Sequence, residues 1–189
     1  MNMLKAKTVV LGVSGGIAAY KACETTRRLV EAGAEVHVML TKGAQQFVTP
    51  LTFQTLSGHP VHTDLFSLTQ EQEIGHIALA DRADLILVAP ATADLIAKAA
   101  HGICDDLLTT VICATRAPVL FAPAMNVHMW ENPITQENIA KLRKHNFLFV
   151  EPDSGFLACG YTGKGRLPDA EVLVAEAEKA LKVRKLRAK

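Results

Sequence analysis

Three segments of the chain carry side chains able to bind an anion, hold a carboxylate and move a proton. The first, Gly12-Val-Ser-Gly-Gly-Ile-Ala-Ala19, joins an apolar run to a helical one. Small residues let the backbone approach an anion, and a helix start adds N–H groups and partial positive charge. Ser14 contributes a hydroxyl. The pattern is not the dinucleotide fingerprint, because Ser14 and Ile17 stand where glycines are needed, and no Gly-Lys-Ser/Thr follows to make a P-loop. It suits one phosphate, and it also suits a plain tight turn. The second, Ala122-Pro-Ala-Met-Asn-Val-His-Met-Trp-Glu-Asn-Pro133, holds the single Trp and two of the five Met. Its Asn126 is neutral, with two donors and one acceptor, suited to fixing a carboxylate or an amide. The third, Ser154–Arg166, sets Cys159 among Gly160, Gly163 and Gly165. That composition makes a flexible flap bearing a thiol, or a simple surface hairpin. Lys164 and Arg166 there suit lowering the thiol pKa or gripping a phosphate.

Two further segments are weaker. Val88–Lys98 places Pro90 after an apolar run and Thr92 at a helix cap, and its small residues leave room for a flat ring. His76 lies beside the apolar stretch Ile77–Ala80. Imidazole titrates near working pH, but a lone His at such a stretch more often packs. His37, His59, His62, His101, His128 and His145 have no better claim.

These side chains need elements to position them. Thr8–Val13, Glu35–Leu40, Asp84–Ala89, Ala117–Ala122 and Phe147–Val150 are apolar or β-branched runs of strand length. Ile17–Ala32, Thr92–Ala100, Asp106–Ala114, Thr135–His145 and Asp169–Lys185 carry helical patterns, with Gly33 suited to follow the first helix. Alternation of buried strands with helices predicts an α/β domain with a doubly wound, mostly parallel sheet and helices on both faces. Ligands in such sheets sit beyond the carboxyl ends of the strands. Ser14–Ile17, Thr41–Ala44, Pro90–Asp94 and Pro123–Trp130 fall there. Glu151–Pro168 reads as one long, Gly-rich irregular stretch, of the kind that is functional or mobile.

Bulk properties narrow the classes. A chain of 189 residues, 49% hydrophobic, suits one domain with a full core. With Lys+Arg 20 against Asp+Glu 19 the net charge is +1, so neither nucleic acid nor an anionic membrane is an expected partner. Residues 1–181 read as the functional domain and 182–189 as a basic tail or linker stub. The apolar run after Lys7 is too short for a signal peptide, and no stretch nears the roughly 18 apolar residues of a membrane span, so a cytoplasmic protein is expected. The four cysteines show neither CxxC spacing nor a His at zinc-finger distance. They read as free thiols, and no metal site is expected.

Taken in order, Ser14-Gly-Gly-Ile-Ala18, His76, Ala89-Pro-Ala-Thr92, Asp105-Asp-Leu-Leu108, Pro123-Ala-Met-Asn-Val-His-Met-Trp130 and Ala158-Cys-Gly160 with Gly163-Lys-Gly-Arg166 resemble the flavin-dependent cysteine decarboxylase family. The resemblance runs from about Lys5 to Leu181 and is strongest to the branch that acts on phosphopantothenoylcysteine within a bifunctional coenzyme A biosynthesis protein. It departs at Asp94, where the pattern has Asn. It implies a Rossmann-like flavoprotein that binds FMN and assembles from trimers, in some members into a dodecamer. It also implies a phosphopantothenate–cysteine ligase domain, fused or separate. The implied reaction is transient thiol oxidation, CO₂ loss and enethiol reduction, with the redox chemistry carried by the flavin.

By this resemblance His76 is the acid/base near the thiol, Asn126 holds the substrate carboxylate, and Cys159 donates the proton to the enethiol. Ser14, Gly15, Gly16 and Ile17 hold the FMN phosphate, and Thr41, Ala91 and Thr92 line the flavin. Met125, Met129, Ala158, Lys164 and Arg166 join Asn126 around the substrate. Three other activities share parts of the pattern: decarboxylation of a peptide's C-terminal cysteine, flavin prenyl transfer, and a non-catalytic flavin-binding regulatory subunit.

Overall fold

The computed structural model describes residues 2–66, 75–158 and 160–187. Its centre is a five-stranded parallel sheet of β1 (Thr8–Val13), β2 (Glu35–Leu40), β3 (Leu85–Ala91), β4 (Val119–Pro123) and β5 (Leu148–Phe149), in the order β2-β1-β3-β4-β5. The inner strands are continuous apolar runs because both faces are covered. Val9, Leu11, Val13, Leu85 and Leu87 point into a core shared with Leu29, Phe53 and Leu173. Val10, Ile86 and Val88 point into the opposite core with Leu95, Leu108, Val111 and Ile139. The first core is closed by α1 (Lys21–Glu31), α2 (Pro50–Ser57) and α8 (Ala170–Arg187). The second is closed by α3 (Gly75–Arg82), α4 (Ala93–His101), α5 (Leu107–Ala114) and α7 (Pro133–Lys144). A short helix, α6 (Val127–Glu131), lies between β4 and α7.

The strand order turns back between β1 and β3, and such a switch point opens a crevice at the strands' carboxyl ends. The fold class expected from the alternating pattern is the one observed. Some boundaries differ. The first helix is split into a 3₁₀ turn, Ile17–Tyr20, followed by α1. β3 runs on through Pro90, with its pairing to β4 shifting between Val88 and Ala91, which carries Ala91 and Thr92 toward the crevice. α7 begins at Pro133 rather than Thr135, because Asn132 caps it by accepting from the Ile134 N–H and proline suits the first turn. Glu151–Pro168, expected to be irregular, contains an antiparallel hairpin of β6 (Asp153–Phe156) and β7 (Thr162–Arg166). α8 continues to Arg187 and so carries most of the basic run expected to be a tail. Among the described residues, no helix is long and apolar enough to cross a membrane.

Candidate active site

A cleft of about 610 Å³ opens at the switch point, within the range of small-molecule sites. The turn after β1 forms one wall through Gly15, Gly16 and Ile17. Thr92 and Ala93 enter from the start of α4, and Ala124, Met125, Asn126 and Met129 from the segment after β4. The hairpin supplies Phe156, Leu157, Ala158, Gly165 and Arg166. Of the residues predicted from sequence, Gly15, Gly16, Ile17, Thr92, Met125, Asn126, Met129, Ala158 and Arg166 meet here. Cys159 lies outside the described residues, and Ala158 before it lines the cleft.

Glycine is required where the wall is thinnest. A Cβ on Gly15 would stand 2.7 Å from the Gly43 backbone, so the β1 turn and the loop after β2 are pressed together there. The sequence offered no reason to single out Gly43. Ser14 has a different place from the one expected. It is 2% exposed and does not line the cleft. Its hydroxyl donates to the Pro90 carbonyl (2.7 Å) and accepts from the Thr92 N–H (3.0 Å). Ser14 thus ties β1 to the end of β3 and sets the spacing of the two walls. Ala91 also lies beneath the cleft, its carbonyl accepting from the Ala124 N–H at 3.1 Å. Thr41 lines a separate pocket of about 190 Å³ with Asp105 and Asp106, and its hydroxyl accepts from the Ala44 N–H. Asp94 points away to the surface, paired with Lys98 at 3.5 Å.

Asn126 caps α6. Its Oδ1 accepts from the His128 N–H at 2.8 Å. The hairpin is held against this segment by backbone contact. The Met125 N–H donates to the Gly165 carbonyl (3.0 Å). A Cβ on Gly165 would lie 2.2 Å from the Met125 carbonyl oxygen, and one on Gly163 would lie 2.7 Å from Val127 Cγ2. Gly165 also has φ +149°, where only glycine sits without strain. Gly165→Ala is therefore expected to undock the hairpin. At a cost of about 1–3 kcal/mol, limited proteolysis within residues 153–166 should speed up roughly five- to 150-fold, because cleavage tracks the open population. An unchanged rate would mean that the contact does not hold the hairpin.

The cations sort in a way the sequence did not reveal. Lys164 does not line the cleft. Its Nζ donates to Glu151 Oε2 at 2.6 Å and lies 5.3 Å from the centre of the Trp130 ring, so it braces the outside of the hairpin. Lys164, and then Arg143, hold the Glu151 carboxyl below its usual range. Lys21, which the sequence reading passed over, does line the cleft. Its Nζ donates to the Leu167 carbonyl and to Asp169 Oδ1, both at 3.1 Å, and this bond lowers the Asp169 pKa. Lys21 and Arg166 are the cleft's cations among the described residues. Lys21 opens α1 after the 3₁₀ turn Ile17–Tyr20 that follows the glycines, and that position was the available signal.

His76 is half-buried in the first turn of α3, the helix packed on α5, and does not line the cleft. One copy of the chain thus brings Asn126 and the glycine turn together and leaves His76 apart from them.

The sequence profile of the flavoprotein family matches residues 1–182, which take in the whole sheet and all but the last residues of α8. The chain belongs to the flavoprotein family. It is 55% identical over 177 residues to the coenzyme A biosynthesis bifunctional protein CoaBC of Bacillus subtilis (strain 168), covering 94% of this chain and 44% of that protein. The chain thus spans less than half the length of this curated relative. Among solved structures, it superposes on the FMN-dependent cysteine decarboxylase SpaF with a TM-score of 0.81 at 30% identity, covering 95% of this chain and 99% of that one. It superposes on a cysteine-to-serine mutant of PPC decarboxylase, complexed with pantothenoylaminoethenethiol, with a TM-score of 0.80 at 28% identity, covering 98% and 100%. The cleft fits a flavin on its own terms. Gly15, Gly16, Thr92, Ala93 and Ala124 leave space for a flat ring, and the turn at Ile17 presents first-turn amides to a phosphate.

Proposed function

We propose that this chain binds FMN and decarboxylates phosphopantothenoylcysteine to pantetheine phosphate, one step of coenzyme A biosynthesis. The observation that carries the reading is Asn126, held by its own helix cap in the same cleft as the glycine turn. The names of the relatives point the same way, and the enethiol in the PPC decarboxylase complex is the decarboxylated form expected before reduction.

A cysteine carboxylate has no electron sink, so direct loss of CO₂ would leave an unstabilised carbanion. Bound FMN would supply hydride acceptance from the substrate's thiol-bearing carbon and its return after CO₂ leaves. The chain's own residues would do the rest. Gly15, Gly16 and Ile17 hold the cofactor phosphate, with Ser14 fixing that turn to β3. Asn126 orients the substrate carboxylate through N–H donors. A cation there would stabilise the carboxylate and oppose its departure, so a neutral donor is the better group. Lys21 and Arg166 stand at the cleft to pair with the substrate phosphate. His76 would move the thiol proton, and Cys159 would protonate the enethiol carbon.

Because His76 lies away from the Asn126 cleft, the reading includes a second copy that supplies it, in keeping with a trimer-based homo-oligomer. A phosphopantothenate–cysteine ligase domain, fused or separate, would supply the substrate. The purified protein is expected to be yellow, to release FMN on denaturation, and to convert phosphopantothenoylcysteine to CO₂ and pantetheine phosphate. Colourless protein that ignores added FMN would sink the cofactor assignment. Faster turnover of a peptide ending in cysteine would move the substrate to the peptide class.

A further inference from the structure

We propose that Glu35, His37 and His59 form a site for a divalent transition-metal ion of the zinc class, remote from the flavin cleft. One ligand atom from each side chain lies within 4.8 Å of those of the other two, and this is the one such group of metal-ligating side chains among the described residues. Glu35 and His37 stand two apart on β2, so the pleat turns both to one face of the sheet, the face that also receives Met39. His59 arrives from the other direction, on the connection that leaves α2 through Gly58 in the left-handed conformation. That connection then pairs with β2 through the bridge between Met39 and His62.

The details favour ligation over a simple polar cluster. His59 Nδ1 lies 3.0 Å from the Ser57 carbonyl, which can only accept, so Nδ1 donates to it. A backbone carbonyl behind a histidine is the usual orienting partner of a metal-bound imidazole. His37 is 7% exposed and sets Nε2 2.9 Å from Glu35 Oε1. A bound ion would displace the shared proton, which leaves to solvent, and would join the two atoms in its place. Arg82 Nη2 approaches Glu35 Oε1 at 3.1 Å and is largely exposed, so it can shift to the outer carboxylate oxygen and brace the ligand.

Two imidazoles and one carboxylate suit zinc, with the fourth position open to water. Ligand atoms around zinc sit roughly 3.3 Å apart in a tetrahedron with ~2.0–2.1 Å bonds. Reaching this asks the His59 connection to close by at most about 1.5 Å. Glu35 and His37 lie toward the amino end of β2, whereas the cleft lies beyond the strands' carboxyl ends. The ion would therefore fasten the segment that leaves α2 to the edge strand β2, with no part in the decarboxylation.

The test is calorimetric titration of Zn²⁺ into the FMN-loaded protein, with Co²⁺ absorption reporting the ligand type. The expected result is one Zn²⁺ per chain with nitrogen and oxygen ligands, and a rise in Tm on adding Zn²⁺. His59→Ala and Glu35→Gln should each weaken binding at least about tenfold, abolish the rise in Tm and leave FMN content and turnover unchanged. A Cys104→Ala/Cys113→Ala variant should bind Zn²⁺ as the parent does. No binding, equal affinity in His59→Ala, or a thiolate signature in the Co²⁺ spectrum would each overturn the proposal.

Discussion

Asn126→Asp is expected to lower turnover by ~10²–10³ or more while leaving the protein folded and yellow. The substitution keeps the shape of the side chain and its structural task. Asp caps a helix about as well as Asn, so its oxygen can still accept from the His128 N–H and hold α6. What changes is the other end of the group. Two N–H donors become a carboxylate oxygen, so the substrate carboxylate meets a negative charge in place of a hydrogen bond. Losing one preorganised donor to a reacting group typically costs that much in rate. Near-normal turnover would remove Asn126 from the mechanism.

His76→Asn tests the other half of the site, with an expected loss of ~10²–10⁴ from removing an acid/base. The two variants together test where His76 acts. If one copy lends His76 to the cleft of another, co-expressing the two inactive variants builds some sites with both native residues, and part of the activity returns. A mixture as dead as either parent would place His76 and Asn126 in the same chain's site.

The parts of this architecture legible in the sequence are those set by burial. β1, β2, β3 and β4 are apolar runs because both sheet faces are covered, and the helices between them carry strong patterns. α2 was not legible: it buries little beyond Phe53 and Ser57, so its sequence shows no clear stripe. α6 was not either, because it is five residues long and owes its start to the Asn126 cap. At the site, residue type was readable but direction was not. Ser14 has a hydroxyl suited to a phosphate, yet Pro90 and Thr92 take it up in the fold. Lys164 and Lys21 look alike in sequence, and only the docking of the hairpin decides which one reaches the cleft. Glu35 and His37 share a face by simple alternation, but His59 joins them from a connection whose path no local pattern specifies.

Cys159→Ala is expected to separate the two halves of the reaction completely. Leu157 and Ala158, which precede it in the chain, line the cleft, and the hairpin is held there by the Gly165–Met125 contact. If that thiol only protonates the enethiol carbon, removing it leaves substrate oxidation and CO₂ loss intact. Under anaerobic mixing with substrate, the variant should release one CO₂ per site, lose its yellow absorbance and hold the enethiol without turning over again. Cys159→Ser should stop at the same point, because a hydroxyl is a far weaker acid than a thiol. A cysteine-to-serine mutant of PPC decarboxylase complexed with pantothenoylaminoethenethiol is the state such a block would leave. Retained yellow absorbance with no CO₂ would place Cys159 in substrate binding or in the oxidative half. Full turnover would make the cysteine a bystander in the hairpin and pass the proton to another donor.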